Sequence, residues 1–150
     1  MTETGKGMTL IVKTVTRITV GFILVYGIYI VLHGHLSPGG GFAGGLIIAL
    51  SFIHLMLAFG KDVALKRVSE SVADLFESIG ALLFLCIAVI GFAAGYFLLN
   101  FFADKGAPFA LFSAGTIPLY NIAISLKVGA GLFAVFVALV LLKTRSKGTE

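Results

Sequence analysis

Four long apolar runs dominate the chain: Leu10–Leu32, Gly41–Phe59, Leu75–Leu99 and Leu119–Leu142. Each is close to the ~20 residues that carry a helix across the hydrocarbon core of a bilayer. The runs are continuously apolar and lack the period-two alternation of a small β-barrel. Lipid offers no partner to a free backbone group, so the pattern predicts an all-α fold of four transmembrane helices. Between the second and third runs, Val68, Val72, Leu75, Phe76 and Ile79 form one helical stripe. Glu70, Asp74 and Glu77 form another, at i, i+4 and i+7. This spacing predicts an amphipathic helix at the membrane surface that runs into the third span, with Lys66 and Glu70 as an i, i+4 pair. The connection Asn100–Pro118 mixes polar and apolar residues, and nothing in it reads as a soluble domain. The chain 1–150 is expected to be a single membrane domain without internal repeats.

Composition strengthens that picture. The chain is 59% hydrophobic and 12% charged, with a mean hydropathy of +1.09. The 11 basic and 7 acidic residues are too few to clothe a soluble fold of this size. A net charge of +4 could suggest nucleic acid, but the charges cluster at the ends of the apolar runs, as topology signals do. Lys6, Lys13 and Arg17 lie at the N-terminus, the last two within the start of the first run. Lys61, Lys66 and Arg67 lie between the second and third, and Lys143, Arg145 and Lys147 follow the fourth. The other two connections carry only Lys105. Basic residues concentrate on the cytoplasmic side, so both termini are expected there. No A-x-A-like site follows the first run, which reads as a retained span. Cys86 is the sole cysteine and lies within an apolar run, which excludes an intrachain disulfide and predicts an inert packing residue.

The segment between the first two spans is unusual. From His33 to Gly45 it holds six glycines, one of three prolines and two of three histidines. Pro38 fixes its φ and donates no N–H, while the glycines accept almost any backbone conformation. Such a backbone beside a membrane span is tolerated only where protein or water satisfies it. His33 and His35 supply at most two metal ligands where zinc needs three or four, and no Cys, Asp or Glu nearby completes the set, so polar anchoring is the preferred reading. The glycines lack the G-x-x-x-x-G-K-[ST] spacing of a phosphate loop. Gly41 and Gly45 instead match the small-xxx-small pattern of helix packing.

Few groups within the spans can carry charge. Lys127 lies about eight residues inside the fourth run, roughly 12 Å along a helix axis. A lysine at bilayer centre costs about 2.5–3.5 kcal/mol on insertion scales, and such residues usually face protein or a water-filled path. Ala123, Ala130, Gly131, Ala134 and Ala138 share its face and would let another helix approach. The alternative is a lysine that snorkels or makes one structural contact. Asn121, Ser125 and Gly129 make a second stripe that suits interhelical hydrogen bonding. His54, five residues from the end of the second run, shares a face with Ile47, Ser51 and Ala58. A histidine at that depth can relay protons, since its reference pKa is about 6.5, or can hold one structural hydrogen bond. Glu77 opens the predicted third span. It can carry protons, but the preferred reading is a carboxylate at a helix N-terminus, worth about 0.3–1 kcal/mol. No Ser/His/Asp or Cys/His constellation and no redox-cofactor motif appears, so the chain by itself is not expected to be catalytic, and no cofactor or resident metal is expected.

Two segments resemble a known family. The run His33-Gly34-His35-Leu36-Ser37-Pro38-Gly39-Gly40-Gly41-Phe42-Ala43-Gly44-Gly45 is similar to the signature of the B subunit of Mrp (Mnh) type multisubunit sodium/proton antiporters. Pro118-Leu119-Tyr120-Asn121-Ile122-Ala123-Ile124-Ser125-Leu126-Lys127-Val128-Gly129 resembles that subunit's second recurring segment. Ser125 stands where the family commonly carries an acidic residue. The resemblance implies a small accessory subunit in the cytoplasmic membrane of a prokaryote. Its implied partners are other membrane subunits and lipid, and the implied transported ions are Na+ and H+. The setting is either a stand-alone antiporter or the antiporter-like module of membrane-bound hydrogenases and sulfur-reducing relatives. It also assigns His33, His35, Pro38, Gly39, Gly40, Gly41, Phe42, Gly44, Gly45 and Asn121 to family motifs that pack subunits. Lys127, His54 and Glu77 are then the candidates for an ion path. The rival expectation is a scaffold that carries no ions, and an independent channel is a third.

Overall fold

The structure is a computed structural model that describes residues 8–60, 69–100, 109–110 and 113–146. Among these residues it forms four helices: α1 (Leu10–Leu32), α2 (Gly40–Phe59), α3 (Glu70–Ala93) and α4 (Ile117–Ser146). All four are long and apolar enough to cross a membrane, and no strand occurs among the described residues. The chain is a multi-pass membrane protein.

The helices pack in the order α1, α2, α4, α3, with α1 touching α4 only slightly. α1 runs antiparallel to α2 and α3 antiparallel to α4, whereas α2 and α4 run parallel to each other. Met8 N–H donates to the Ala58 carbonyl (2.9 Å), which ties the start of α1 to the end of α2. At that end Met56, Ala73, Phe133 and Val137 bury one another, and Phe52 meets Phe133 edge to face at 6.1 Å between centroids. Only 17–33% of each span's apolar window is buried within the chain. A soluble protein could not leave that much apolar surface exposed; lipid or neighbouring helices must cover it.

Local chemistry explains the helix ends. Pro38 and the glycines after it turn the chain back from α1. Gly39, at φ 128°, adopts a conformation that a Cβ would resist. Ser69 caps α3 by accepting from Val72 N–H at 3.3 Å. Pro118 sits in the first turn of α4, where its missing N–H has no intrahelical role.

The expected bounds of α1 match the structure, and those of α2 differ by one residue. The third helix differs more. It begins at Glu70 and ends at Ala93, whereas Leu75–Leu99 was expected. Ala94–Leu99 keeps its apolar character but leaves the helix, with Gly95 at φ 139° and Leu98 at φ 59°. The fourth helix extends beyond Leu119–Leu142 at both ends. Lys61–Val68 lies outside the described residues, and with it Lys66. From Ser71 onward the expected amphipathic segment is the first turns of α3 itself. Cys86 is exposed on α3 rather than packed.

Candidate functional site

The motif segment makes close backbone contacts. Gly41 N–H donates to Asn121 Oδ1 of α4 at 3.2 Å. Asn121 therefore caps the first turn of α2 from another helix, satisfying a donor that the helix cannot satisfy itself. One helical turn on, a Cβ at Gly45 would stand 2.8 Å from the Ser125 carbonyl oxygen and 3.2 Å from Gly129 N. The stripe Gly41–Gly45 thus lies against the stripe Asn121–Ser125–Gly129, backbone to backbone. Gly44 faces the other way, towards Val31 and the Gly27 carbonyl of α1. Asn121 is 8% exposed and its Nδ2 is buried without a partner among the described residues.

The other motif residues are placed as follows. His33 stacks on Tyr29, with centroids 4.1 Å apart. His35 Nε2 lies 3.2 Å from the Ala110 carbonyl oxygen, linking the turn to the long connection after α3. Phe42 is 62% exposed, and Pro38 is exposed as well.

Lys127 and Glu77 come together. Lys127 Nζ donates to Glu77 Oε1 at 3.2 Å, with side chains 53% and 39% exposed. Lys127 lies ten residues after Ile117 in α4, roughly 15 Å along the axis, half the ~30 Å apolar thickness of a bilayer. Glu77 is the eighth residue of α3, not its first. The helix-terminus reading of this carboxylate therefore fails, because that effect fades beyond the first turn. Two glycines hold the pair. A Cβ at Gly80 would stand 2.7 Å from Lys127 N and 2.8 Å from the Ala123 carbonyl oxygen. A Cβ at Gly131 would touch the Glu77 carboxylate at 3.4 Å. Gly80 brings the helices together one turn beyond Glu77, and Gly131 leaves room for its carboxylate one turn beyond Lys127.

His54 lies elsewhere, between α2 and α1. Its Nε2 is 3.2 Å from Thr16 Oγ1 and 3.4 Å from Thr19 Oγ1. Sequence reasoning missed both threonines, since the pairings span 38 and 35 positions. It also missed Asn100, whose Nδ2 donates to the Ala114 carbonyl and whose Oδ1 accepts from Thr116 N–H, both at 3.1 Å. Asn100 thereby ties the first part of the connection after α3 to the residues that lead into α4.

A hollow of about 290 Å³ on the face of the bundle is lined by Leu24, Ile48, Phe52, Phe76, Leu126 and Phe133, among others. Ser125 is the one polar residue lining it among the described residues. Such a lining offers nothing to orient a polar substrate. Polar groups gather elsewhere instead, among them the Asn121 cap, the Glu77–Lys127 pair, and His54 with its two threonines.

These features define a class: a small helical membrane protein with glycine-ridge packing and one ion pair at mid-membrane depth. A family model described as a domain related to the MnhB subunit of Na+/H+ antiporter matches residues 11–134. The chain belongs to this family. It is 43% identical over 116 residues to the uncharacterized protein MJ1307 of Methanocaldococcus jannaschii, covering 73% of this chain and 44% of that protein. It is 46% identical over 56 residues to the putative antiporter subunit mnhB2 of Staphylococcus epidermidis, covering 37% of this chain and 40% of the other. The match thus spans less than half the length of either relative. Among solved structures, a chain of the membrane-bound sulfane sulfur reductase (MBS), an archaeal respiratory membrane complex, superposes with a TM-score of 0.76 at 27% identity. That match covers 93% of this chain and 63% of the solved one.

Proposed function

We propose that the chain is a membrane subunit of a multisubunit cation/proton-translocating complex of the Mrp type, and that the Glu77–Lys127 pair lines its ion path at a subunit contact. The carrying observation is the exposure of that pair. Two charges at mid-membrane depth are half uncovered within this chain. Facing lipid they would cost several kcal/mol. Facing a neighbouring subunit or a hydrated route, the unused donors of Lys127 and the second oxygen of Glu77 find partners. Membership of the MnhB family and the likeness to a chain of a respiratory membrane complex support the same reading. The complex is either a stand-alone Na+/H+ antiporter or the antiporter-like module of a larger respiratory assembly. The chain forms one membrane domain with both termini in the cytoplasm, as its basic residues favour.

The test is Lys127→Ala in the whole complex, with sodium/proton exchange measured in membrane vesicles. Exchange falls while the subunit still co-purifies with its partners. Full exchange in that variant would remove the ion-path role. A scaffold without ion transport is the second reading, favoured by the glycine ridges that bring backbones together. Under it, Lys127→Ala is silent, whereas valine at Gly40 and Gly41 dissolves the assembly.

A further inference from the structure

The three histidines differ in what holds them. His33 Nδ1 lies 3.1 Å from the Tyr29 carbonyl oxygen, and His35 Nε2 lies 3.2 Å from that of Ala110. A carbonyl only accepts, so each of those nitrogens is fixed as a proton carrier. His54 Nε2 faces two hydroxyls instead, Thr16 Oγ1 at 3.2 Å and Thr19 Oγ1 at 3.4 Å. A hydroxyl both donates and accepts. The Thr19 hydroxyl donates to the Val15 carbonyl at 3.1 Å, which leaves its oxygen as an acceptor. The Thr16 hydroxyl can turn either its hydrogen or a lone pair to the ring. When Nε2 is bare, Thr16 donates to it. When Nε2 carries a proton, both oxygens accept. The site therefore satisfies Nε2 in either protonation state, at a position where Thr16 is 1% exposed.

His54 is also reachable. It is partly exposed on a cavity of about 430 Å³ lined by Ile11, Val15, Thr16, Thr19 and Ile23. That groove follows α1 from its first turn for twelve residues, roughly 18 Å. Among the described residues no Asp, Glu, Lys or Arg lines it. Of the α1 cations, Arg17 lies over the Phe59 ring at 5.9 Å, and Lys13 is not part of the lining. α2 carries no charged side chain besides the imidazole. Lys127 of α4 is engaged with Glu77, on the side that faces α3.

We propose that His54, with Thr16 and Thr19, is a proton-binding site separate from the Glu77–Lys127 pair, loaded along the groove from the end of the bundle where α1 begins. Proton binding stands by itself; its use in exchange rests on the function proposed above. The test is solid-state NMR of the purified complex in lipid with nitrogen-15 histidine, followed from about pH 5 to 8, where histidines change charge. The His54 signals are those lost in His54→Gln. Should that variant fail to assemble, Thr16→Val, which keeps the shape and removes the hydroxyl, identifies them by their displacement. The expected result is a reversible change of both ring nitrogens with pH and a shifted midpoint in Thr16→Val. A ring that keeps one tautomer throughout overturns the proposal, and so does a titration that Thr16→Val leaves untouched. The measurement needs no ion flux, so a complex that exchanges nothing still decides it.

Discussion

Adding one methyl group at Gly80 should uncouple the ion pair without touching either charge. A Cβ there would sit 2.7 Å from Lys127 N, 2.8 Å from the Ala123 carbonyl oxygen and 3.1 Å from Lys127 Cα. All three are backbone atoms in a helix interior, so no rotamer change relieves them. Carbon contacts settle at about 3.5–4.0 Å, so α3 must back away from α4 by roughly 0.7 Å or more. Overpacking of this kind costs about 1–3 kcal/mol. Glu77 lies one turn from Gly80 and moves with it. Its 3.2 Å bond to Lys127 opens to about 4 Å, beyond hydrogen-bond reach. The pair is half exposed, so its Coulomb attraction is discounted and the packing cost leads. The assay is a double-mutant cycle of Gly80→Ala and Glu77→Gln on sodium/proton exchange in vesicles, with thermal stability of the purified complex measured alongside. Gly80→Ala should lower exchange to about the level of Glu77→Gln, and the double variant should lose no more, as expected for two changes that break one interaction. Full exchange in Gly80→Ala, or losses that add, would refute the clasp.

Other substitutions probe the remaining contacts. Gly45→Val forces side-chain carbon onto the Ser125 carbonyl, so α2 and α4 should part and the subunit should be lost on co-purification. Asn121→Ala removes the acceptor from Gly41 N–H. A buried donor left unpaired costs about 1–3 kcal/mol, read as a lower melting temperature of the complex. Ser69→Ala removes the α3 cap and should cost about 1 kcal/mol in the same measurement, with exchange unchanged.

The spans were legible because the membrane imposes one rule, and the apolar runs obey it. Leu10–Leu32 could be read to the residue, since charges and the His33 turn punctuate both ends. The third span resisted because Glu70, Asp74 and Glu77 interrupt hydropathy at its start while Tyr96–Leu99 prolong it past its end. Hydropathy cannot see that Gly95 and Leu98 take positive φ. The packing role of the Asn121–Ser125–Gly129 stripe was visible in its spacing. Its counterpart at Gly41–Gly45 was visible too, but not that the two stripes meet, 80 positions apart. Thr16 was hidden for a different reason. A hydroxyl in an apolar run satisfies itself against its own helix easily, and only the fold shows that this one turns to an imidazole.

The ion pair also bears on where a carboxylate can serve Lys127. The resemblance to the antiporter B subunit places an acidic residue at the position of Ser125, two residues before the lysine. Residues two apart on a helix do not face each other. Ser125 is 7% exposed and lies against Gly45 of α2, whereas Lys127 faces α3. An acid at 125 would therefore point into the α2–α4 ridge and could not reach the lysine from its own helix. The carboxylate that does reach it comes from Glu77 on α3, through the opening that Gly80 and Gly131 create. Serine at 125 consequently leaves the Lys127 pairing intact, and Ser125→Glu should disturb the α2–α4 packing rather than strengthen the ion pair. Loss of co-purification with Glu77 unchanged would bear this out; a stable complex with raised exchange would show that the acid finds Lys127 after all.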